Sequence, residues 1–288
     1  LVLTGTKDKW FLEADVQKLK DLMDIELVVV SAWLCKTNKT RRAYFMKIGL
    51  VSELFRDGDI EYNVNQIKRR LIECSKKKFD LICFGESFLH GFEGLSWEYH
   101  KDLSRACAQN DEIILSLREF ATSYGIGLSF GYIEKDDGTI YSSNLVISDN
   151  GEILSNYRRI SPGWKEPIAD HRYYKEGNGF SLFNYKGKKF TTAICGDLWN
   201  DKHIDSIKQL KADCVLWPLY VDYSVDKWEN GEREEYALQV KKIQVPVLMT
   251  NSYVEDENRA KGGCCVFRDG HVLKELPMGS LGILNYRL

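Results

Sequence analysis

Along this chain, short apolar runs of strand length alternate with stretches whose apolar residues recur at helical spacing, and the alternation begins at Met46. Met46-Lys47-Ile48-Gly49-Leu50-Val51 reads as a strand. Ile60–Cys74 carries Val64, Ile67, Leu71 and Ile72 on one helical stripe, and Leu81–Phe84 is apolar at every position. A short run apolar throughout reads as a buried strand. Further helices are expected over Glu112–Tyr124, Ile204–Leu210 and Glu234–Ile243. Further strands are expected over Ile126–Ile133, Tyr141–Ser148, Ile153–Ile160, Phe190–Cys195, Cys214–Pro218 and Val245–Asn251, then around Cys264–Phe267, His271–Lys274 and Gly282–Tyr286. Turn signals at Gly138, at Asp149-Asn150-Gly151 and at Arg268-Asp269-Gly270 close hairpins, so the sheets should mix parallel and antiparallel neighbours.

Residues 1–45 break this pattern. They hold one amphipathic stretch (Phe11–Met23), one apolar run (Leu27–Leu34) and a basic segment (Lys36–Arg42). The expectation is one α/β domain over 46–288, with 1–45 as an N-terminal extension.

Forty basic residues against 42 acidic ones leave a net charge of -2, so there is no electrostatic reason to expect nucleic acid or an anionic membrane as partner. No apolar run approaches the roughly 20 residues that a membrane helix needs, and the first residues lack the basic–apolar–small pattern of a signal peptide. The 8 cysteines include no CxxC pair, and several, such as Cys83, sit in apolar runs where cysteine is a small hydrophobe. Neither a disulfide framework nor a metal site is expected, and a reducing cytoplasm is the expected location.

Three segments carry chemistry. In Phe84-Gly85-Glu86-Ser87-Phe88, a carboxylate follows a buried strand in apolar surroundings, which raise its pKa toward the range of a general base. A solvated loop glutamate is the plainer alternative. In Ala193-Ile194-Cys195-Gly196-Asp197-Leu198-Trp199, a thiol stands at a strand end, and Gly196 permits a sharp turn and close approach by a ligand. The plainer alternative is a buried cysteine, as expected of Cys83 and Cys214. The third segment is Asn156-Tyr157-Arg158-Arg159-Ile160, followed by Trp164-Lys165-Glu166, where several cations could stabilise an oxyanion or simply form a solvated face.

In their order and spacing these segments resemble the nitrilase/amidase superfamily of carbon–nitrogen hydrolases, with its glutamate after the third strand, its Tyr-Arg-Lys motif and its Ile-Cys-x-Asp motif. The likeness runs from about Met46 to the C-terminus, through Tyr141-Ser142-Ser143, Trp217-Pro218, Asn251 and Gly262-Gly263-Cys264. It implies a four-layer α-β-β-α sandwich with mixed sheets. It also implies a triad in which glutamate takes the thiol proton, thiolate attacks an amide or nitrile carbon, a lysine stabilises the tetrahedral intermediate, and water cleaves the thioester. Glu86 and Cys195 take two of these places. No metal or organic cofactor is implied, the expected partner is a small-molecule amide, and a homodimer or higher homo-oligomer is implied.

The chain departs from the pattern at the lysine, which is Arg159. A guanidinium is always protonated and can stabilise an oxyanion but hardly shuttle a proton. Either Arg159 substitutes electrostatically, or Lys165 delivers its ammonium to the same place after a turn at Pro162-Gly163, or the site is degraded; Lys165 is the favoured reading. The family's second glutamate, ahead of a Tyr-Phe-x-x-Gly segment, corresponds to Asp170, with Glu166 competing. The aromatic residue common beside the cysteine is Gly196, which leaves more room there. Trp164 and Trp199 adjoin the motifs and are candidate pocket walls alongside Asp170 and Gly196. A catalytically silent binding or assembly module is the competing reading, supported by Arg159. A redox-sensing cysteine has less support, because no resolving cysteine lies near Cys195 in sequence.

Overall fold

The computed structural model describes residues 45–288. The expectation of an N-terminal extension over 1–45 therefore falls, all but its last residue, outside the described residues. Strand β1 (Lys47–Ser52) leads into α1 (Ile60–Lys76) and β2 (Leu81–Cys83). Helices α2 (Tyr99–Arg105) and α3 (Glu112–Tyr124) precede the antiparallel meander β3 (Gly127–Asp136), β4 (Thr139–Ile147) and β5 (Ile153–Arg158). The second half holds β6 (Phe183–Tyr185), β7 (Lys188–Thr192), a 3-10 turn (Cys195–Trp199), α4 (Asp201–Leu210) and β8 (Cys214–Leu219). Helix α5 (Arg233–Gln239), reached through a π turn (Trp228–Glu232), then precedes β9 (Val247–Asn251), β10 (Cys264–Arg268), β11 (His271–Leu276) and β12 (Gly282–Arg287).

The strands form two six-stranded sheets, ordered β12-β1-β2-β3-β4-β5 and β11-β10-β9-β8-β7-β6. Each mixes directions: β1, β2 and β3 are parallel, as are β7, β8 and β9, and hairpin or return strands flank them antiparallel. The period-2 alternation of side chains explains why the central strands are apolar at every position. Ile48, Leu50, Leu81 and Cys83 point between the sheets and meet Phe190, Cys214, Leu216, Leu248 and Val266. Val51, Ile82 and Phe84 point the other way, onto Ile67 and Leu71 of α1 and Ile114, Leu117 and Ala121 of α3. On the second sheet Val215, Trp217 and Leu219 meet Ile204 and Ile207 of α4 and Tyr236 and Ala237 of α5. The layers therefore run α-β-β-α, as the family resemblance implied.

Local signals set the helix ends. Asp59 Oδ1 accepts from Tyr62 N–H (3.0 Å) to cap α1, Asn200 Oδ1 accepts from Lys202 N–H (2.9 Å) to cap α4, and Gly125 closes α3 in the left-handed conformation. Helix α2 and strand β6 were not anticipated, being too short to show a period. The expected helix Glu234–Ile243 tightens after Gln239 into a 3-10 turn, Val240–Ile243.

Candidate active site

Glu86 stands just past β2, where the two sheets are stitched together: its N–H donates to the carbonyl of Leu219, at the end of β8 (3.1 Å). Two glycines make this approach possible. A Cβ on Gly85 would lie 2.8 Å from Ser252 N and 2.9 Å from Leu219 O, and one on Gly131 would lie 2.7 Å from Gly85 O. Neither space admits a side chain, so the turn carrying Glu86 is fixed by backbone contact.

Cys195 lies beyond β7 rather than in it. The expected strand Phe190–Cys195 ends at Thr192, and the last ladder bond runs from Ala193 N–H to Leu216 O (3.0 Å). The reason is Asp197. Its buried carboxylate accepts from Ile194 N–H (2.8 Å) through Oδ2, so the chain leaves the sheet and turns. The same carboxylate accepts from the Tyr157 hydroxyl (2.7 Å) and from Ser161 N–H (2.7 Å) and Ile160 N–H (3.2 Å), tying the thiol's turn to the segment that carries Arg159. Cys195 itself has a φ of 43°, unusual for a residue with a Cβ. Its carbonyl accepts from Trp217 Nε1 (2.9 Å), and its Sγ lies 3.8 Å from Tyr220 O. Among the described cysteines it is the one that is not fully buried. Cys83 and Cys214 are core residues, as expected.

Arg159 comes to Glu86. Its Nη1 donates to Glu86 Oε1 at 2.6 Å, its Nε donates to Ser161 Oγ at 2.8 Å, and both members of the ion pair are almost completely buried. Ser142 Oγ lies 3.4 Å from the same carboxylate oxygen, while Glu86 Oε2 has no hydrogen-bond partner. Burial raises the Glu86 carboxyl above its ordinary range, with Arg159 opposing. Burial first, then the charge of Glu86, pushes the Cys195 thiol up to about 12, with Arg159 again opposing. Burial alone would lower the Arg159 guanidinium, but Glu86 and Cys195 reverse this and leave it raised. Ionisation of the resting thiol is thus disfavoured, and the carboxylate beside it is that of Glu86.

Lys165 does not join this cluster, contrary to the favoured reading of the sequence. Its ammonium pairs with Glu176 (2.5 Å) and donates to Tyr174 O (3.1 Å). The turn at Pro162-Gly163 does form, with Lys165 N–H donating to Pro162 O (3.2 Å), but it carries the side chain onto the 174–176 segment. Asp170 is likewise engaged elsewhere: Arg172 pairs with it at 2.7 Å and holds its carboxyl down to about 2. Glu166 is exposed. Trp164 is buried in a separate cluster with Trp97 and Tyr174, while Trp199 is 40% exposed with its ring on the edge of Tyr236. Arg158 bonds to Glu134 and Asp136 and serves structure. The room expected beside Gly196 is not empty: a Cβ there would lie 2.9 Å from Arg159 Nη2. Ser142 and Ser161 were not foreseen as site residues, since only the tertiary fold brings them here; Tyr220, one of several aromatic residues that the sequence offers as pocket walls, meets the thiol through its backbone carbonyl. Asp197 was legible as part of a motif, but its role was not.

Among the described residues no group of three or more His, Cys, Asp or Glu could hold a metal ion, and no helix is long and apolar enough to cross a membrane.

The family model for carbon–nitrogen hydrolases matches residues 47–285. Among curated proteins, the glutamine-dependent NAD(+) synthetase of Acinetobacter baylyi is 25% identical over 223 residues, which is 76% of this chain and 40% of that protein. The citrullinase of Francisella tularensis is 24% identical over 224 residues, 74% of this chain and 76% of that protein. Among solved structures, a mutant of the Nesterenkonia AN1 amidase, from the nitrilase superfamily, superposes with a TM-score of 0.70 at 17% identity over 87% of this chain and 93% of that one. A second structure of that amidase, with a TM-score of 0.69 at 18% identity over 86% of this chain and 91% of that one, carries the acetamide moiety of fluoroacetamide added covalently at its active-site cysteine.

Proposed function

The chain belongs to the carbon–nitrogen hydrolase family, and we propose that it cleaves a small linear amide, carbamoyl or ω-amide compound through a thioester on Cys195. The observation that carries this reading is the meeting of Glu86, Arg159 and Cys195 in one buried cluster at the ends of two sheets. The names of the curated relatives, a citrullinase and a glutamine-dependent synthetase, fit that range of compounds. Since the chain spans 40% of the synthetase's length, only the amide-cleaving step is carried over.

In this mechanism Glu86 takes the Cys195 proton as sulfur attacks the carbonyl carbon. The tetrahedral oxyanion forms beside Arg159, whose permanent charge stabilises it in a site where burial strengthens the interaction. Glu86 returns the proton to the leaving nitrogen, the C–N bond breaks, and ammonia or an amine departs. Glu86 then deprotonates a water that attacks the thioester, and the carboxylic acid leaves with the thiol restored. Arg159 never gives up a proton, so Glu86 alone carries both transfers. Lys165 has no part.

One observation favours the silent-module reading: Arg159 pairs so closely with Glu86, at 2.6 Å, that it weakens the carboxylate as a base. Ammonia release from short aliphatic amides, carbamoyl amino acids and glutamine, compared between the parent and Cys195→Ala, separates the two. Turnover that survives in the alanine variant sinks the thioester mechanism. No turnover with any compound, together with no acyl adduct on Cys195 by mass spectrometry, favours the silent module. The family likeness also carries the proposal of a homodimer, checked by light scattering on the whole chain, and a free thiol at the site suits a reducing cytoplasm.

A further inference from the structure

The guanidinium of Arg159 is held on three sides. Nη1 meets Glu86, Nε meets Ser161, and Nη2 lies against two glycines. A Cβ built on Gly196 would sit 2.9 Å from Nη2 and 3.0 Å from Ser161 Oγ, and one on Gly163 would sit 3.3 Å from Nη2. Gly196 does not have a positive φ, so its backbone does not require glycine; the space does. Nη2 is also the one guanidinium nitrogen of Arg159 without a protein acceptor among the described residues.

We propose that Gly196 is a positioning residue, and that positions 159 and 196 act as a matched pair in which glycine opens the slot a guanidinium needs. The two departures from the family pattern, arginine for lysine and glycine for an aromatic residue, are then one exchange. A guanidinium is a flat fork wider than an ammonium. Because the fork is rigid, a side chain at 196 that displaces Nη2 also swings Nη1 away from Glu86. Lysine ends in a single nitrogen and places nothing where Nη2 stands. A methyl group at 196 thus displaces Nη2 opposite arginine, whereas opposite lysine it meets only Ser161 Oγ, which is then released from Nε and free to turn aside. The inference rests on the reading of Arg159 as the cation of the site.

The test is a double-mutant cycle on the whole chain with Gly196→Ala, Arg159→Lys and both. The first readout is the rate of Cys195 alkylation by iodoacetamide across a pH series, followed by peptide mass spectrometry. The second is the urea unfolding midpoint. In the arginine background, alanine slows alkylation by about 10-fold at pH 7.5 and moves the pH profile to higher pH. In the lysine background the same alanine changes the rate by less than about 2-fold, so the double variant matches Arg159→Lys. Equal slowing in both backgrounds overturns the matched pair. If alkylation of the parent is indifferent to Glu86→Gln, the catalytic reading has failed instead, and the unfolding midpoints still decide the pair. Coupling between 159 and 196 in those midpoints supports it, and strict additivity overturns it.

Discussion

Replacing Asp197 by alanine removes, in one step, the acceptor of four hydrogen bonds: from Ile194 N–H, Ser161 N–H, Ile160 N–H and the Tyr157 hydroxyl. Two of these donors, Ile194 N–H and the Tyr157 hydroxyl, stay where water reaches them poorly, while Ile160 and Ser161 are half-buried. An orphaned buried donor costs about 1–3 kcal/mol. A water admitted to the space left by the carboxylate recovers one or two of them, so the expected loss is about 3–5 kcal/mol. Asparagine is the control. It keeps one oxygen for the Ile160 and Ser161 amides, and its NH2 donates to a turned Tyr157 hydroxyl, so only Ile194 N–H is left facing a donor. Its expected loss is about 1–2 kcal/mol. Urea unfolding of the whole chain, followed by tryptophan fluorescence, measures both through the midpoint at constant slope. Alkylation of Cys195 should slow in the alanine variant as well, because its turn is no longer tied to the Arg159 segment. A loss below about 1 kcal/mol for alanine, or equal losses for the two variants, refutes the argument that this carboxylate organises the site.

Glu86→Gln should slow Cys195 alkylation at neutral pH by at least about 10-fold, since a thiol raised to about 12 needs the carboxylate to accept its proton; an unchanged rate removes the base from the mechanism. Comparison with Cys83 or Cys214 is a weaker test, because their burial alone slows them. Lys165→Met should leave Cys195 reactivity within about 2-fold of the parent, whereas Arg159→Met should lower it by about 10-fold or more. The reverse order in the same alkylation assay restores the lysine reading. His90 is buried, with Nδ1 accepting from Ile133 N–H (3.0 Å) and Nε2 facing Arg105 O (3.1 Å), and burial lowers its pKa to about 4. The unfolded chain, with a histidine near about 6.5, binds a proton that the folded chain refuses. Stability from this residue is therefore complete above about pH 6.5 and falls as pH drops toward 4, by up to about 3 kcal/mol. His90→Asn, which keeps an acceptor near the Nδ1 position, should flatten that part of a pH series of unfolding midpoints; an unchanged slope shows that the acid sensitivity lies elsewhere.

The sequence by itself determined the alternation of buried strands and helices, and through its family resemblance the layered fold and two of the three groups in the cluster. Period is a local property: Leu81–Phe84 and Cys214–Leu219 are apolar at every position because both of their faces are covered, and a reader of the chain can see that without coordinates. Glu86 and Cys195 were legible because each stands shortly after a strand, Glu86 past β2 and Cys195 past β7, within motifs whose order and spacing resemble the family's. The third group was not legible. Arg159 and Lys165 are six residues apart and carry the same charge, and no local rule tells which one reaches Glu86, 73 positions before Arg159. Tertiary structure decided it, because Asp197 pins the backbone at Ile160 and Ser161 beside the thiol's turn, while Lys165 is carried beyond a turn to Glu176. The same holds for Gly196. In sequence it reads as room left over; in the fold that room is filled by a guanidinium, since two distant segments compete for one volume and only their packing shows which of them takes it.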